Sequence, residues 1–395
     1  MRYNKVSEKI DREIARELEK VKKVIVNELN PISIVLFGGV GKGEASICKG
    51  RLFNDLDIYV VTKKKISEKR LEEVGVKASK AINRGGGEFI EHSDEPYDAE
   101  KFFHVDLRCL KYSELGRLRK TTRAFEIKHS SQIMYGEDIR SLIKIKKQEL
   151  PLAEGIRHLF NKSCFLLMTM DSKKLKGSFE KNEREYAIYH SVKTFLGCAE
   201  ALLLAKGDDS PTYTGRNELF RRYYSKDFPY WVKKVDFATK FKMNLEFDKI
   251  KNVFEFWKQA RNFLDFTLKY IAKNNLKINF RNRKELVKKL YKKLPYVYFN
   301  SYIPLGNITF PSQYILNLLY FRRSGYFRAL FSWRDVGIRI FFPAYLLLFA
   351  LEDSSLTKEA EKYLKGVIEI KEHSWEGLRK GVLKAYGLYY SQKLI

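Results

Sequence analysis

The stretch Leu36–Val61 reads LFGGVGKGEASICKGRLFNDLDIYVV. It opens on a glycine pair, Gly38-Gly39, that follows a short β-rich run, Ser33 to Phe37. It closes on Asp55 and Asp57, the second of which sits between Leu56 and Ile58 in an apolar strand, Leu56 to Thr62. Side chains two apart on a strand share a face, so the two carboxylates project together, roughly 6–7 Å apart at the backbone. Two such acids in one partly dry place repel each other and raise each other's pKa. A divalent cation relieves that repulsion, and Mg²⁺ favours hard oxygen ligands. A turn or N-cap role accounts for Asp55 after Asn54, but not for Asp57 within the apolar run.

A third acid has the same setting. FFHVDLRCL, Phe102 to Leu110, reads as a strand, and within it Asp106 lies between Val105 and Leu107. Three carboxylates on neighbouring strands suit two metal ions. Between strand and acids, glycines let backbone N–H groups approach phosphate oxygens with no Cβ in the way. Lys42 follows in the same loop, placed to meet phosphate charge. No GxxxxGK[ST] phosphate loop occurs.

Working outward, Val6, Ile10, Ile14, Leu18, Val21, Ile25 and Leu29 recur at helical spacing, a stripe ended by Asn30-Pro31. Ser67 to Asn83 predicts a second helix, stopped by Arg84-Gly85-Gly86-Gly87. Helix and strand thus alternate over 1–150, as in an α/β or α+β domain. From Pro151 the 3.6-residue period dominates. Arg184–Gly207 and Lys249–Ile271 predict long helices, which sets a helical domain at 151–275. Residues 276–395 form a third segment, basic, aromatic-rich and mostly helical.

The ordered set of strand, GG, basic residue, D-h-D and later strand aspartate (h, hydrophobic) resembles the DNA polymerase beta-like nucleotidyltransferase superfamily. Phe37, Gly38, Gly39, Asp55, Leu56, Asp57, Ile58 and Asp106 occupy the matching places, and GKGE (Gly41 to Glu44) is similar to that family's stretch after the glycines. The spacer is longer than usual, with 15 residues between Gly39 and Asp55, as if ICKGRLFN were an extended turn. QIMYGEDIRSLI, Gln132 to Ile143, resembles the exit segment of the aminoglycoside-modifying branch. Arg184–Phe220 and FWKQARNFLDF, Phe256 to Phe266, resemble the HEPN-type helical domains that accompany minimal members. Arg261-Asn262 is followed by Asp265 without a histidine, which disfavours a HEPN ribonuclease. His190 reads as a packed helix residue.

The resemblance implies an α+β nucleotidyltransferase domain, a small mixed sheet flanked by helices, followed by α-helical domains. It implies a Mg²⁺-dependent enzyme with two ions (Mn²⁺ as a substitute) on Asp55, Asp57 and Asp106, and an NTP, ATP first, with its phosphates on Gly38, Gly39 and Lys42. The acceptor is a hydroxyl of a small molecule or protein. An alternative is the 3′ end of an RNA, as in tRNA-type enzymes, and a second is a catalytically silent nucleotide-sensing or partner-binding module. His104 shares a strand face with Asp106 and is a candidate substrate contact.

Composition bears on the acceptor. The chain of 395 residues carries 75 Lys and Arg against 48 Asp and Glu, a net charge of +27. A surplus of that size points to a polyanionic partner, nucleotide or nucleic acid. Lys269–Lys293 holds ten basic residues, with Tyr270, Phe280 and Tyr291 interleaved, a composition that suits RNA. Tyr320–Arg339 alternates arginines with aromatics, which fits either RNA contact or packing. Four cysteines without CxxC spacing predict reduced thiols in a cytoplasmic protein. The N-terminal stretch reads as a charged helix rather than a signal peptide, and the apolar run Ile340–Leu351 is too short to span a bilayer. Homo-oligomerisation is an open expectation.

Overall fold

The computed structural model describes residues 2–53, 55–85, 103–293, 310–331 and 336–390. It begins with α1 (Glu8–Leu29), whose N-cap Ser7 accepts from Lys9 N–H. The expected stripe faces inward through Ile10, Ile14, Leu18, Val21 and Ile25, and Asn30 ends the helix in the left-handed conformation.

Four strands follow: β1 (Ser33–Leu36), β2 (Leu56–Thr62), β3 (Val105–Lys111) and β4 (Gln132–Gly136). They make one sheet in the order β3-β2-β1-β4. β1 is antiparallel to both β2 and β4, while β2 and β3 are parallel. The small mixed sheet expected from the sequence is therefore present. The expected start of β3 at Phe102 lies outside the described residues; just before Val105, His104 N–H donates to the Asp55 side chain at 3.3 Å. Between them, α2 (Glu68–Ala81) ends two residues short of the expected Asn83, which adopts a φ of 57° and stops the helix itself. Gly86 and Gly87 of the expected stop lie outside the described residues.

The period of two sorts each strand between two cores. Ile34, Leu36, Ile58, Val60, Val105 and Leu107 pack on the face covered by α1 and α2. Val35, Phe37, Tyr59, Val61 and Leu110 point the other way, toward α3 (Thr122–Ser130). Asp57, Asp106 and Arg108 alternate with the first set, so they share the second face.

Ten further α-helices follow among the described residues: α4 (Leu152–Met168), α5 (Lys181–Ala205), α6 (Tyr213–Tyr224), α7 (Pro229–Met243), α8 (Val253–Asn274), α9 (Arg283–Lys293), α10 (Phe310–Ser324), α11 (Val336–Leu347), α12 (Ser355–Leu364) and α13 (Trp375–Tyr390). A single hydrophobic cluster runs from Ile156 to Tyr389. The boundary expected at 275/276 falls inside it. Phe160 of α4, for instance, lies 4.9 Å from Phe342 of α11, ring centre to ring centre. No helix among the described residues is long and apolar enough to cross a membrane.

The long spacer has a structural use. Ile47–Cys48 and Arg51–Leu52 form a two-stranded hairpin. Its turn residues Lys49 and Gly50 both have positive φ, 49° and 78°, as a tight type I′ turn requires. Asn244–Leu245, after α7, adds a third strand parallel to Ile47–Cys48. Phe53 then packs on Tyr189 of α5 at 5.3 Å and on Phe247 at 5.9 Å. The inserted residues thus fasten the sheet domain to the helices.

Candidate active site

The parallel register sets Asp57 directly beside Asp106. Gly38 closes over them: a Cβ on it would stand 2.1 Å from Asp57 Oδ2, and its φ is +65°. Only glycine meets both demands, since a side chain would strike the carboxylate and strain the backbone. Phe37 N–H donates to the Asp57 carbonyl at 3.0 Å, which fixes the Gly38–Gly41 helical turn against β2.

Burial pushes the Asp57 pKa up to about 6, and the neighbouring Asp106 and Asp55 add to it, while Arg108 and Arg123 pull the other way. Asp55 is also raised, first by burial in its recess although 46% of its side chain touches solvent; His104 and Lys193 oppose the shift. His104 Nδ1 lies 3.4 Å from Asp55 Oδ1. That places His104 at Asp55. Asp106 is clasped by Arg108, two residues on and on the same face, with Nε and Nη2 at 3.0 and 2.5 Å from Oδ2.

The expected cage of three free carboxylates is accordingly not preassembled: among the described residues no group of three His, Cys, Asp or Glu side chains is arranged to hold a metal ion. The reason is local, because i and i+2 on a strand face the same way and Arg108 reaches the acid first. The donor set still suits Mg²⁺. All three side chains offer hard oxygens, and Asp57 and Asp106 stand directly opposite each other in the register of β2 and β3.

The opposite wall was not legible as such in the sequence. Lys193 of α5 faces Asp55. Burial opposes its charge, but Tyr189, Tyr213 and Asp55 hold its pKa above the ordinary lysine value. Its ammonium lies 4.5 Å from the centre of the Tyr189 ring. Lys242 of α7, 1% exposed, donates to the hydroxyls of Ser46 and Tyr189. For Lys193 the signal was there, an isolated charge between SV and TFLG in YHSVKTFLG, whereas Lys242 shares FATKFKM with Lys240 and does not stand out. An unpaired lysine is costly to bury, so each implies a partner from elsewhere in the fold.

The glycine-loop residues divide. Gly38 sits against Asp57, and the Gly39 carbonyl accepts from Glu44 N–H at 2.8 Å. Lys42 turns away into the junction with the helices, where its ammonium pairs with Glu126 Oε1 at 2.6 Å with 3% of the side chain exposed, and lies 4.8 Å from the Tyr213 ring centre. Glu44, also of GKGE and 1% exposed, caps α6: Tyr213 and Thr214 N–H donate to it at 2.6 and 2.9 Å. Glu126 also meets Arg216 at 2.9 Å, and Arg216 makes two bonds to Asp209, at 2.8 and 3.0 Å.

Other expectations resolve as packing. His190 is buried, stacked on Phe165 at 4.7 Å, with burial holding its pKa well below the usual range. Arg261 donates to the Leu348 carbonyl and to Glu352, while Asp265 joins Arg283, Lys269 and Tyr345. Tyr270, Phe280 and Tyr291 of the basic stretch are half-buried, packed against the helical core. In Tyr320–Arg339, Tyr320 is buried and Phe327 and Phe331 are exposed, with 332–335 outside the described residues.

No protein-family model matches the sequence, and no curated protein matches it. Among solved structures, the chain is similar to the spectinomycin adenyltransferase AAD(9) from Enterococcus faecialis, crystallised with ATP and spectinomycin. The identity is 14%, over 64% of this chain and 99% of that one, with a TM-score of 0.38.

Proposed function

We propose that this chain is a nucleotidyltransferase that passes the NMP of an NTP, ATP first, to a hydroxyl on a small molecule or protein. The observation that carries the proposal is the side-by-side placement of Asp57 and Asp106, with Gly38 pressed against Asp57 and Lys193 facing the neighbouring Asp55. In this chemistry the acceptor oxygen bonds to the α-phosphorus while the bond from that phosphorus to the pyrophosphate oxygen breaks. Asp106 receives the hydroxyl proton, positioned for it by Arg108. Lys193 meets charge on the triphosphate, and the Gly38-Gly39 backbone lets phosphate oxygens come close. Lys42 joins them only by giving up Glu126. Asp55, Asp57 and Asp106 would hold Mg²⁺, or Mn²⁺ in its place, which when bound supplies a lowered hydroxyl pKa and charge neutralisation on the phosphates.

The test is label transfer. The protein is incubated with each α-labelled NTP and Mg²⁺, together with pools of small metabolites, proteins or RNA. Label should pass from one NTP to one pool and be lost in Asp57→Asn. Absence of transfer from every NTP to every pool, or an active Asp57→Asn, overturns the assignment.

A further inference from the structure

A groove of about 540 Å³ runs between α7 and the start of α8, on the helical part of the chain. Tyr230 and Phe237 line it and are 50% and 38% exposed. They stand seven residues apart on one helix, about 10 Å along its axis. Lys233, Lys234 and Lys251 rim the same groove, and Lys234 Nζ lies 5.4 Å from the Tyr230 ring centre. The one acid in the lining, Glu255, is paired with Lys258 at 2.8 Å. Gln259 completes the wall, and its carbonyl Oε1 is buried with no hydrogen-bond partner. A buried acceptor without a donor is costly and uncommon in folded proteins.

These features ask for one kind of occupant. Exposed aromatic rings take flat π-faces, ammonium groups take phosphates, and the stranded carbonyl takes an N–H donor. A nucleobase on a phosphate backbone supplies all three. An acidic peptide answers the lysines and offers amide N–H groups, but leaves the ring faces unstacked. The net charge of +27 has the sign such a partner needs. The basic stretch Lys269–Lys293 has the charge with a poorer platform, because its aromatics are half-buried against the core whereas Tyr230 and Phe237 are exposed.

We propose that the α7–α8 groove binds single-stranded RNA, with bases on Tyr230 and Phe237, phosphates on Lys233, Lys234 and Lys251, and a base N–H on Gln259. The proposal does not rest on the transferase reading.

Binding of the full chain to a fluorescein-labelled, mixed-sequence 12-nucleotide RNA is followed by anisotropy across a KCl titration. Tyr230→Ala with Phe237→Ala should weaken binding at least tenfold, as loss of base stacking does. Lys233→Gln, Lys234→Gln and Lys251→Gln together should lower the slope of log K against log salt by about 2, at about 0.7 per phosphate on a single strand. Lys284→Gln, Lys288→Gln and Lys292→Gln on α9 should change neither quantity. The substituted side chains lie at the surface, and an unchanged unfolding temperature separates lost binding from lost folding.

A flattened slope with affinity unmoved by the aromatic pair would mean a charge coat and overturn the proposal. So would equal displacement of the RNA by polyglutamate, which would assign the groove to an acidic protein segment. Loss of binding only in the α9 variant, or no RNA binding at all, would overturn it as well.

Discussion

Asp57 is the residue on which the site turns. Its carboxyl is more easily protonated in the fold than in the unfolded chain, 3.8 rising to about 6. The stability it allows is therefore fully present below pH 3.8 and is lost as the pH rises through 6. Asparagine never pays that cost. Asp57→Asn should raise the unfolding temperature relative to the parent at pH 7.5, with a gain of about 1–3 kcal/mol, and show little difference at pH 4, while abolishing transfer. A gain that persists undiminished at pH 4 would contradict the electrostatic account. Lys193 makes a second prediction. Lys193→Met should raise KM for the NTP about tenfold, the effect of one charge-assisted contact, with a smaller change in kcat. An unchanged KM would remove Lys193 from the phosphate wall.

At the scale of elements, the join between sheet domain and helices is made by the spacer that looked like surplus length. Its hairpin pairs with Asn244–Leu245, Phe53 packs on α5, and Glu44 caps α6. A carboxylate at a helix N-terminus satisfies orphan N–H groups and meets the positive end of the helix dipole. Glu44→Ala should cost about 1–2 kcal/mol in urea unfolding. It should also loosen α6, seen as faster hydrogen exchange at Tyr213 and Thr214 than in the parent. Exchange that stays at the parent rate would show that Thr212, whose side chain accepts from Gly215 N–H, caps α6 unaided.

Across the whole molecule, charge and core act together. Arg216 is 5% exposed and holds Asp209 and Glu126 from two parts of the fold. Burial disfavours its charge, but Glu200, Asp209 and Glu126 hold its pKa well above the ordinary value. Removing one partner from such a network strands the others, so Arg216→Met should cost about 3–5 kcal/mol by chemical denaturation. A cost below about 1 kcal/mol, the range of exposed pairs, would mean that solvent reaches the network. The shared core makes a further prediction. A chain cut after residue 275 loses Phe342 and Tyr345, which cover Phe160. It should bind an apolar dye and unfold without a cooperative transition. Cooperative unfolding of that fragment would show that 151–275 holds a core of its own.

Periodicity and residue type were enough for the local features. The α1 stripe, the strand Leu56–Thr62, the shared face of Asp55 and Asp57 and the need for glycine near them follow from steric rules that act within a few residues. What neighbours what was decided by the tertiary structure. Strand pairing set Asp57 beside Asp106, and a face shared with Arg108 closed that acid. Docking of the helices brought Lys193 to Asp55, drew Lys42 to Glu126, and half-buried the aromatics of Lys269–Lys293 while leaving Tyr230 and Phe237 exposed. The physical reason is range. Backbone sterics and hydrophobic period are written along the chain, whereas the partner of a buried charge is a neighbour in space, often more than a hundred residues away in sequence.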